Sequence, residues 1–177
     1  MDRIYKYTVP TRIDFGPGAI GGLGKVLSGL SSTHPLMVCD QGIRDCGLLE
    51  QALEAAGPSS EEFPVFNGVA SNPREENVLK AVDVYRRESC DGIVAIGGGS
   101  VIDAAKAIGL LSANEGDLDD FDILKHGAAR IQNEPPPLVA IPTTAGTGSE
   151  VSRGALIITT REGVTRKMIA ASPLLVP

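Results

Sequence analysis

The sequence predicts an α/β protein built on a parallel sheet with helices on both faces and an N-terminal hairpin. Three observations predict it. Short apolar runs alternate with longer segments that are apolar on one stripe only. A strand buried on both faces reads as such a run, and parallel strands need a crossing helix between them. Glycine-rich turns follow two of the runs directly, as strand-to-helix turns do in open α/β sheets. The 177 residues, 42% hydrophobic and 21% charged, suffice for one domain with its own core.

The elements follow in order. Tyr5-Lys6-Tyr7-Thr8-Val9 alternates, breaks at Pro10-Thr11 and resumes as Arg12-Ile13-Asp14-Phe15, the period of a small hairpin. Leu36-Met37-Val38-Cys39 is a strand that ends at Asp40. Residues 43–56 place Ile43, Leu48, Leu49, Leu53 and Ala56 on one stripe, which predicts a single amphipathic helix stopped by Gly57-Pro58. Glu62-Phe63-Pro64-Val65-Phe66 is a strand weakened by its proline. Asn72-Pro73 opens a helix over 74–88, with Val78, Val82 and Tyr85 on one face. Residues 92–96 form a wholly apolar strand, 100–111 a helix, and 138–141 another buried strand, entered from the stiff Pro135-Pro136-Pro137. Leu156-Ile157-Ile158-Thr159 and Lys167-Met168-Ile169-Ala170 form a late hairpin across Arg161-Glu162-Gly163.

Composition excludes several classes of function. The net charge is −6, shared equally between residues 1–90 and 91–177, so no basic face gathers for nucleic acid. No apolar run approaches the ~18 residues of a membrane span, and the first five residues lack the apolar core of a secretion signal. Cys39, Cys46 and Cys90 are odd in number and show no Cys-x-x-Cys spacing, which predicts reduced, mostly buried thiols in a cytoplasmic protein. The acidic stretch at Glu115, Asp117, Asp119, Asp120 and Asp122 lacks the glycine and closing glutamate of a calcium loop and reads as a solvated loop. His34 and His126 read as surface residues, and no zinc-protease, serine-hydrolase or phosphate-loop lysine motif occurs.

Three glycine-rich segments compete as ligand sites. Gly16-Pro17-Gly18-Ala19-Ile20-Gly21 matches the dinucleotide pattern literally, with Asp40 at a strand end 19 positions after Gly21. The residues before it are half polar, unlike a central strand, so these glycines read as a turn into a helix. Gly97-Gly98-Gly99-Ser100 is stronger, because it joins an apolar strand directly to a helix. Glycines there let backbone approach a ligand, Ser100 is a natural cap with Asp103 three residues on, and the helix start favours an anion such as a pyrophosphate. Ile141-Pro142-Thr143-Thr144-Ala145-Gly146-Thr147-Gly148-Ser149-Glu150 also follows a strand and offers hydroxyls to the same crevice. Together they predict a Rossmann-like cofactor site with no acid–base or metal constellation beside it.

Gly97-Gly98-Gly99-Ser100-Val101-Ile102-Asp103-Ala104-Ala105-Lys106 closely resembles a signature of the iron-containing (group III) alcohol dehydrogenases, and Pro142 to Val151 resembles that family's second signature. Asp14-Phe15-Gly16-Pro17-Gly18 and Ser71-Asn72-Pro73 match as well. The resemblance implies a nucleotide-binding α/β domain over residues 1–177, the N-terminal half of a longer enzyme whose all-helical C-terminal domain carries the metal ligands. It implies NAD(P)-dependent, metal-assisted hydride transfer between nicotinamide and an alcohol or hydroxy acid, with Fe²⁺ or Zn²⁺ held by residues outside this chain. It also implies a homo-oligomer of the full-length enzyme, with neither nucleic acid nor membrane as partner.

By that resemblance, Gly97, Gly98, Gly99 and Ser100 bind the pyrophosphate, and Thr143, Thr144 and Thr147 contact the pyrophosphate and nicotinamide side. Asp40 meets the adenosine ribose, Asn72 the adenosine end and Lys167 a ribose, while Asp103 orients ligands through water near the reacting end. Asp40 favours NAD over NADP, because a carboxylate accepts from a 2′-hydroxyl and repels a 2′-phosphate. Gly127-Ala128-Ala129-Arg130-Ile131 and Glu150-Val151-Ser152-Arg153-Gly154-Ala155 resemble the 4-hydroxybutyrate dehydrogenase branch. Two alternatives stand beside this reading: a non-catalytic nucleotide-binding module, and a metal-independent enzyme resembling maleylacetate reductase.

Overall fold

The computed structural model describes residues 10–127 and 130–177. The first arm of the expected N-terminal hairpin and the Ala128-Ala129 pair of the branch resemblance lie outside the described residues.

Among the described residues, four parallel strands make the main sheet: β1 (Pro35–Val38), β2 (Val65–Phe66), β3 (Gly92–Gly97) and β4 (Leu138–Pro142), in the order β2-β1-β3-β4. Register runs from Pro35 opposite Gly92 to Val38 opposite Ala95, and from Ile93 opposite Leu138 to Gly97 opposite Pro142. The chain goes outward from β1 to β2 and then returns past β1 to β3. The connections therefore diverge between β1 and β3, which opens a crevice at their carboxyl ends.

Among the described residues, six helices surround the strands: α1 (Leu23–Gly29), α2 (Gln41–Asp45), α3 (Leu48–Ala56), α4 (Glu75–Arg87), α5 (Gly99–Ala113) and α6 (Ile123–His126). Strand residues alternate faces. Leu36, Val38, Ile93 and Ala95 pack with α4 and α5, whereas Met37, Cys39, Val94 and Ile96 pack with α1 and α3. Both faces of β1 and β3 are covered, which is why these strands are uniformly apolar.

Three expectations need correction. Residues 43–56 are two helices, because Gly47 takes φ +79 and breaks the turn after Cys46. The strand expected over 62–66 is reduced to Val65–Phe66: Pro64 has no N–H to donate, although its carbonyl still accepts from Met37 N at 2.9 Å. β4 is half-buried rather than buried, since it closes the sheet as an edge strand.

The late hairpin forms as β5 (Gly154–Arg161) and β6 (Val164–Ala171), joined by Glu162 and Gly163 at φ +51 and +77. Two positive φ angles make the primed turn that matches strand twist. This hairpin packs Ile157, Met168 and Ala170 onto α5, so α5 lies between sheet and hairpin and is apolar almost all round. The acidic stretch is a short 3-10 turn, Leu118–Phe121, in which Asp119 pairs with Lys125 at 2.8 Å and Asp120 with Arg130 at 3.3 Å. No helix among the described residues is long and apolar enough to cross a membrane.

Candidate functional site

β3 and β4 leave the sheet side by side. Thr143 N donates to Gly97 O at 3.0 Å, continuing the ladder by one rung and setting the threonine loop against the glycine turn. Space there is short. A Cβ at Gly97 would stand 2.6 Å from Val101 Cγ2, one at Gly98 3.0 Å from Thr144 Oγ1, and one at Gly99 3.0 Å from Ser149 Oγ and 3.1 Å from Thr147 Cβ. Close approach of the second loop thus crowds Gly98 and Gly99, while Gly97 is crowded by Val101 of α5 itself.

The expected cap is corrected. Gly98 is the N-cap of α5 and supplies no side-chain acceptor; Ser100 is already helical. Helix formation starts two residues earlier than capping preference suggests, because Gly98 O already accepts from Val101 N and Ile102 N. Ser100 Oγ instead accepts from Asn72 N at 3.3 Å. The opening turn of α5 therefore presents N–H groups and its positive dipole end without a side-chain partner, at the crevice between β1 and β3.

Thr143, Thr144 and Thr147 are exposed on this rim, and Gly146 and Gly148 curl the loop at φ +91 and +67. Asp40 follows β1, one strand away from Gly97, roughly 5 Å in sheet spacing. Its Oδ1 accepts from Ile43 N at 2.9 Å as the cap of α2, which leaves Oδ2 for another donor. Asn72, at φ +57, is exposed beside Ser100. Lys167 is exposed on β6 opposite Ile158, and Ile158 N donates to Pro73 O at 2.8 Å, so the hairpin brings Lys167 to the Asn72 side. The structure thus gathers the glycine turn, the three threonines and Asp40 along one sheet edge, and sets Asn72 and Lys167 on the flank formed by the hairpin.

Beneath the loop lies a charged group that sequence reasoning quoted within the first signature but gave no role. Lys106, on α5, is 1% exposed. Its Nζ donates to Ser149 O and Ser152 O at 2.6 Å each, to Ser152 Oγ at 3.1 Å and to Gly154 O at 3.2 Å. Burial pushes this ammonium down to about 8, against the pull of Asp103 and Glu150. Asp103 Oδ2 accepts from Leu156 N at 3.1 Å, while its Oδ1 is buried with no hydrogen-bond partner among the described residues. Burial holds the Asp103 carboxyl above its ordinary range, with the Leu156 N–H, Lys106 and Ser149 opposing. The available sequence signal was a lone lysine inside the apolar run Ala104-Ala105-Lys106-Ala107-Ile108.

The described residues contain no group of three or more His, Cys, Asp or Glu side chains placed to hold a metal ion. His34 stacks edge-on against Phe63 at 6.2 Å, and His126 ends α6 on the surface. A divalent metal is therefore not fitted by these residues. A dinucleotide is: the uncapped start of α5, the glycine backbone and the hydroxyl rim match a phosphate-bearing ligand in chemistry.

Comparisons with known proteins agree with this layout. The chain is 42% identical over 152 residues to a 4-hydroxybutyrate dehydrogenase of Cupriavidus necator, a match covering 86% of this chain and 39% of that enzyme. The crystal structure of a 1,3-propanediol oxidoreductase superposes with a TM-score of 0.89 at 38% identity, over 99% of this chain and 44% of that one. A sulfoacetaldehyde reductase from Bifidobacterium kashiwanohense, solved in complex with NAD+, superposes with a TM-score of 0.86 at 26% identity, over 99% of this chain and 45% of that one. The chain thus spans about two-fifths of the length of such relatives. The family model described as iron-containing alcohol dehydrogenase matches residues 10–177, and on that match the chain belongs to the iron-containing alcohol dehydrogenase family.

Proposed function

We propose that this chain supplies the NAD-binding part of an alcohol dehydrogenase acting on a small alcohol or hydroxy acid. The carrying observation is the glycine-capped start of α5 at the crevice between β1 and β3, with Thr144 Oγ1 only 3.0 Å from where a Gly98 Cβ would stand. When bound, the nicotinamide accepts or returns a hydride. The residues of this chain bind and orient it. Gly97, Gly98, Gly99 and Ser100 offer backbone N–H groups and the helix dipole to the pyrophosphate. Thr143, Thr144 and Thr147 donate hydroxyl hydrogen bonds to the pyrophosphate and nicotinamide side.

Asp40 accepts from the adenosine ribose and disfavours a 2′-phosphate, so NAD is the cofactor rather than NADP. Asn72 borders the adenosine end, and Lys167 serves a ribose. Asp103, fixed on Leu156 N, orients ligands through water near the reacting end. The names of the relatives, a 4-hydroxybutyrate dehydrogenase and a 1,3-propanediol oxidoreductase, support a short alcohol or hydroxy acid. The free thiols of Cys39, Cys46 and Cys90 support a cytoplasmic setting, and the family resemblance supports a homo-oligomer. Calorimetric titration tests the cofactor reading: NAD and ADP-ribose bind, whereas adenosine, which lacks the pyrophosphate, binds far more weakly. Equal affinity for adenosine and NAD would refute it.

A further inference from the structure

We infer that Lys106 is the positioning residue of the dinucleotide site: it ties the inner end of the threonine loop to α5 and so sets where Thr144 and Thr147 stand beside Gly98 and Gly99. This inference rests on the cofactor reading above. Lys106 lies seven residues after Gly99, two helical turns or roughly 10 Å below the start of α5. Its buried ammonium cannot touch a ligand in the crevice. It acts through Ser149, whose carbonyl accepts from Lys106 Nζ at 2.6 Å and whose Oγ stands 3.0 Å from where a Cβ on Gly99 would lie. One residue thus joins the clamp to the glycine turn.

Besides Lys106, the loop is anchored at its two ends: at its far end Arg153 O accepts from Ser172 N at 3.0 Å. Residues 143–153 contain no strand or helix, and Thr143 N to Gly97 O is the rung at its start. The bond from Val151 N to Gly148 O stays within the loop. Three carbonyls and one hydroxyl converge on an ammonium with three protons, and no other side chain type combines that donor count with a point charge. Asp103 on α5 and Glu150 on the loop are the charged groups facing it, and both favour its protonated form. An unprotonated amine would turn a lone pair toward oxygens and slacken the clamp. A dinucleotide would then have to order the loop as it bound, at a cost in affinity.

The test compares the wild-type chain with Lys106→Met and Lys106→Arg by amide hydrogen exchange without ligand and by NAD calorimetry from about pH 6.5 to about pH 9.5, either side of the region where the ammonium titrates. Lys106→Met should speed exchange within residues 144–154 while β3 stays protected, and should weaken NAD binding about tenfold, as expected when buried acceptors lose their donor. Lys106→Arg should recover most of both. Wild-type affinity should fall as pH rises through about 8, and the arginine variant should show no such fall because guanidinium stays charged. If Lys106→Met does not fold, the pH series on the wild type and the arginine variant decides. Wild-type affinity in Lys106→Met, uniform loosening of the whole domain in both variants, or the same alkaline fall in both proteins would overturn the inference. A wild-type chain that binds no NAD refutes the cofactor reading instead, and the clamp is then judged by the exchange data alone.

Discussion

Two glycine-rich turns introduce helices in this chain, and they differ in what surrounds them. In the first, a Cβ placed at Gly16, Gly18 or Gly21 would meet nothing within 4 Å. Gly18 is there for its φ of +78, as the cap of a 3-10 turn, Ala19–Gly22, that runs into α1. In the second, Gly98 has φ −78, open to any residue, and the obstacle is space: Thr144 Oγ1 would stand 3.0 Å from its Cβ. The first turn carries the literal spacing of a dinucleotide fingerprint, and the second carries the setting of one. A strand buried on both faces precedes the second, a long buried helix follows it, and a second loop closes over it. Glycine spacing reports a backbone need. Whether that need is a turn or a close approach is decided by the neighbours.

Substitutions separate the two. Gly98→Val has the largest expected effect: overpacking against Thr144 costs about 1–3 kcal/mol, seen as a tenfold to hundredfold loss of NAD affinity by calorimetry. Gly18→Val should leave affinity alone and lower stability by about 2 kcal/mol in urea, the penalty of a branched side chain at positive φ. The reverse pattern would move the site to the first turn.

Asp91, at the opposite end of the sheet, sharpens the contrast. It accepts from Ser32 Oγ, Thr33 N, Thr33 Oγ1 and His34 N at 2.7–2.9 Å. Burial alone would raise its carboxyl, but these four bonds outweigh it and hold the group below its ordinary 3.8. Asp91→Ala should cost about 1–2 kcal/mol at neutral pH, allowing for solvent screening. A lowered folded value stabilises the fold above the unfolded value and is lost as pH falls through the folded one, so wild type and variant should converge in acid. NAD affinity of the folded variant should not change; a matching loss would mean that affinity merely follows stability. The smallest effect is expected at Asp40. Asp40→Asn keeps the cap of α2 but removes a charge, so the NAD over NADP preference should narrow about threefold to tenfold, less at high salt.

What could be read from residues alone follows the same division between local and neighbouring causes. Gly92–Gly97 was legible because a strand covered on both faces can only be apolar, and the β5–β6 turn because Gly163 stands between two strand-like runs, although the positive φ of Glu162 was not announced by its residue type. The break at Gly47 was not legible, since the apolar stripe continues through it into α3. Capping preference placed the start of α5 at Ser100, yet Gly98 takes the cap. Lys106 entered only as the last residue of the first signature, with no role attached. Its acceptors on Ser149, Ser152 and Gly154 lie more than forty positions away, so no local pattern announces them.

The most direct test of the central claim is an NAD titration followed at backbone amides by ¹⁵N NMR. The largest shifts should fall on Gly98, Gly99, Ser100, Thr144 and Thr147, with residues 16–21 unmoved. Shifts centred on Gly16 to Gly21, with Gly98 to Ser100 unmoved, would contradict the claim.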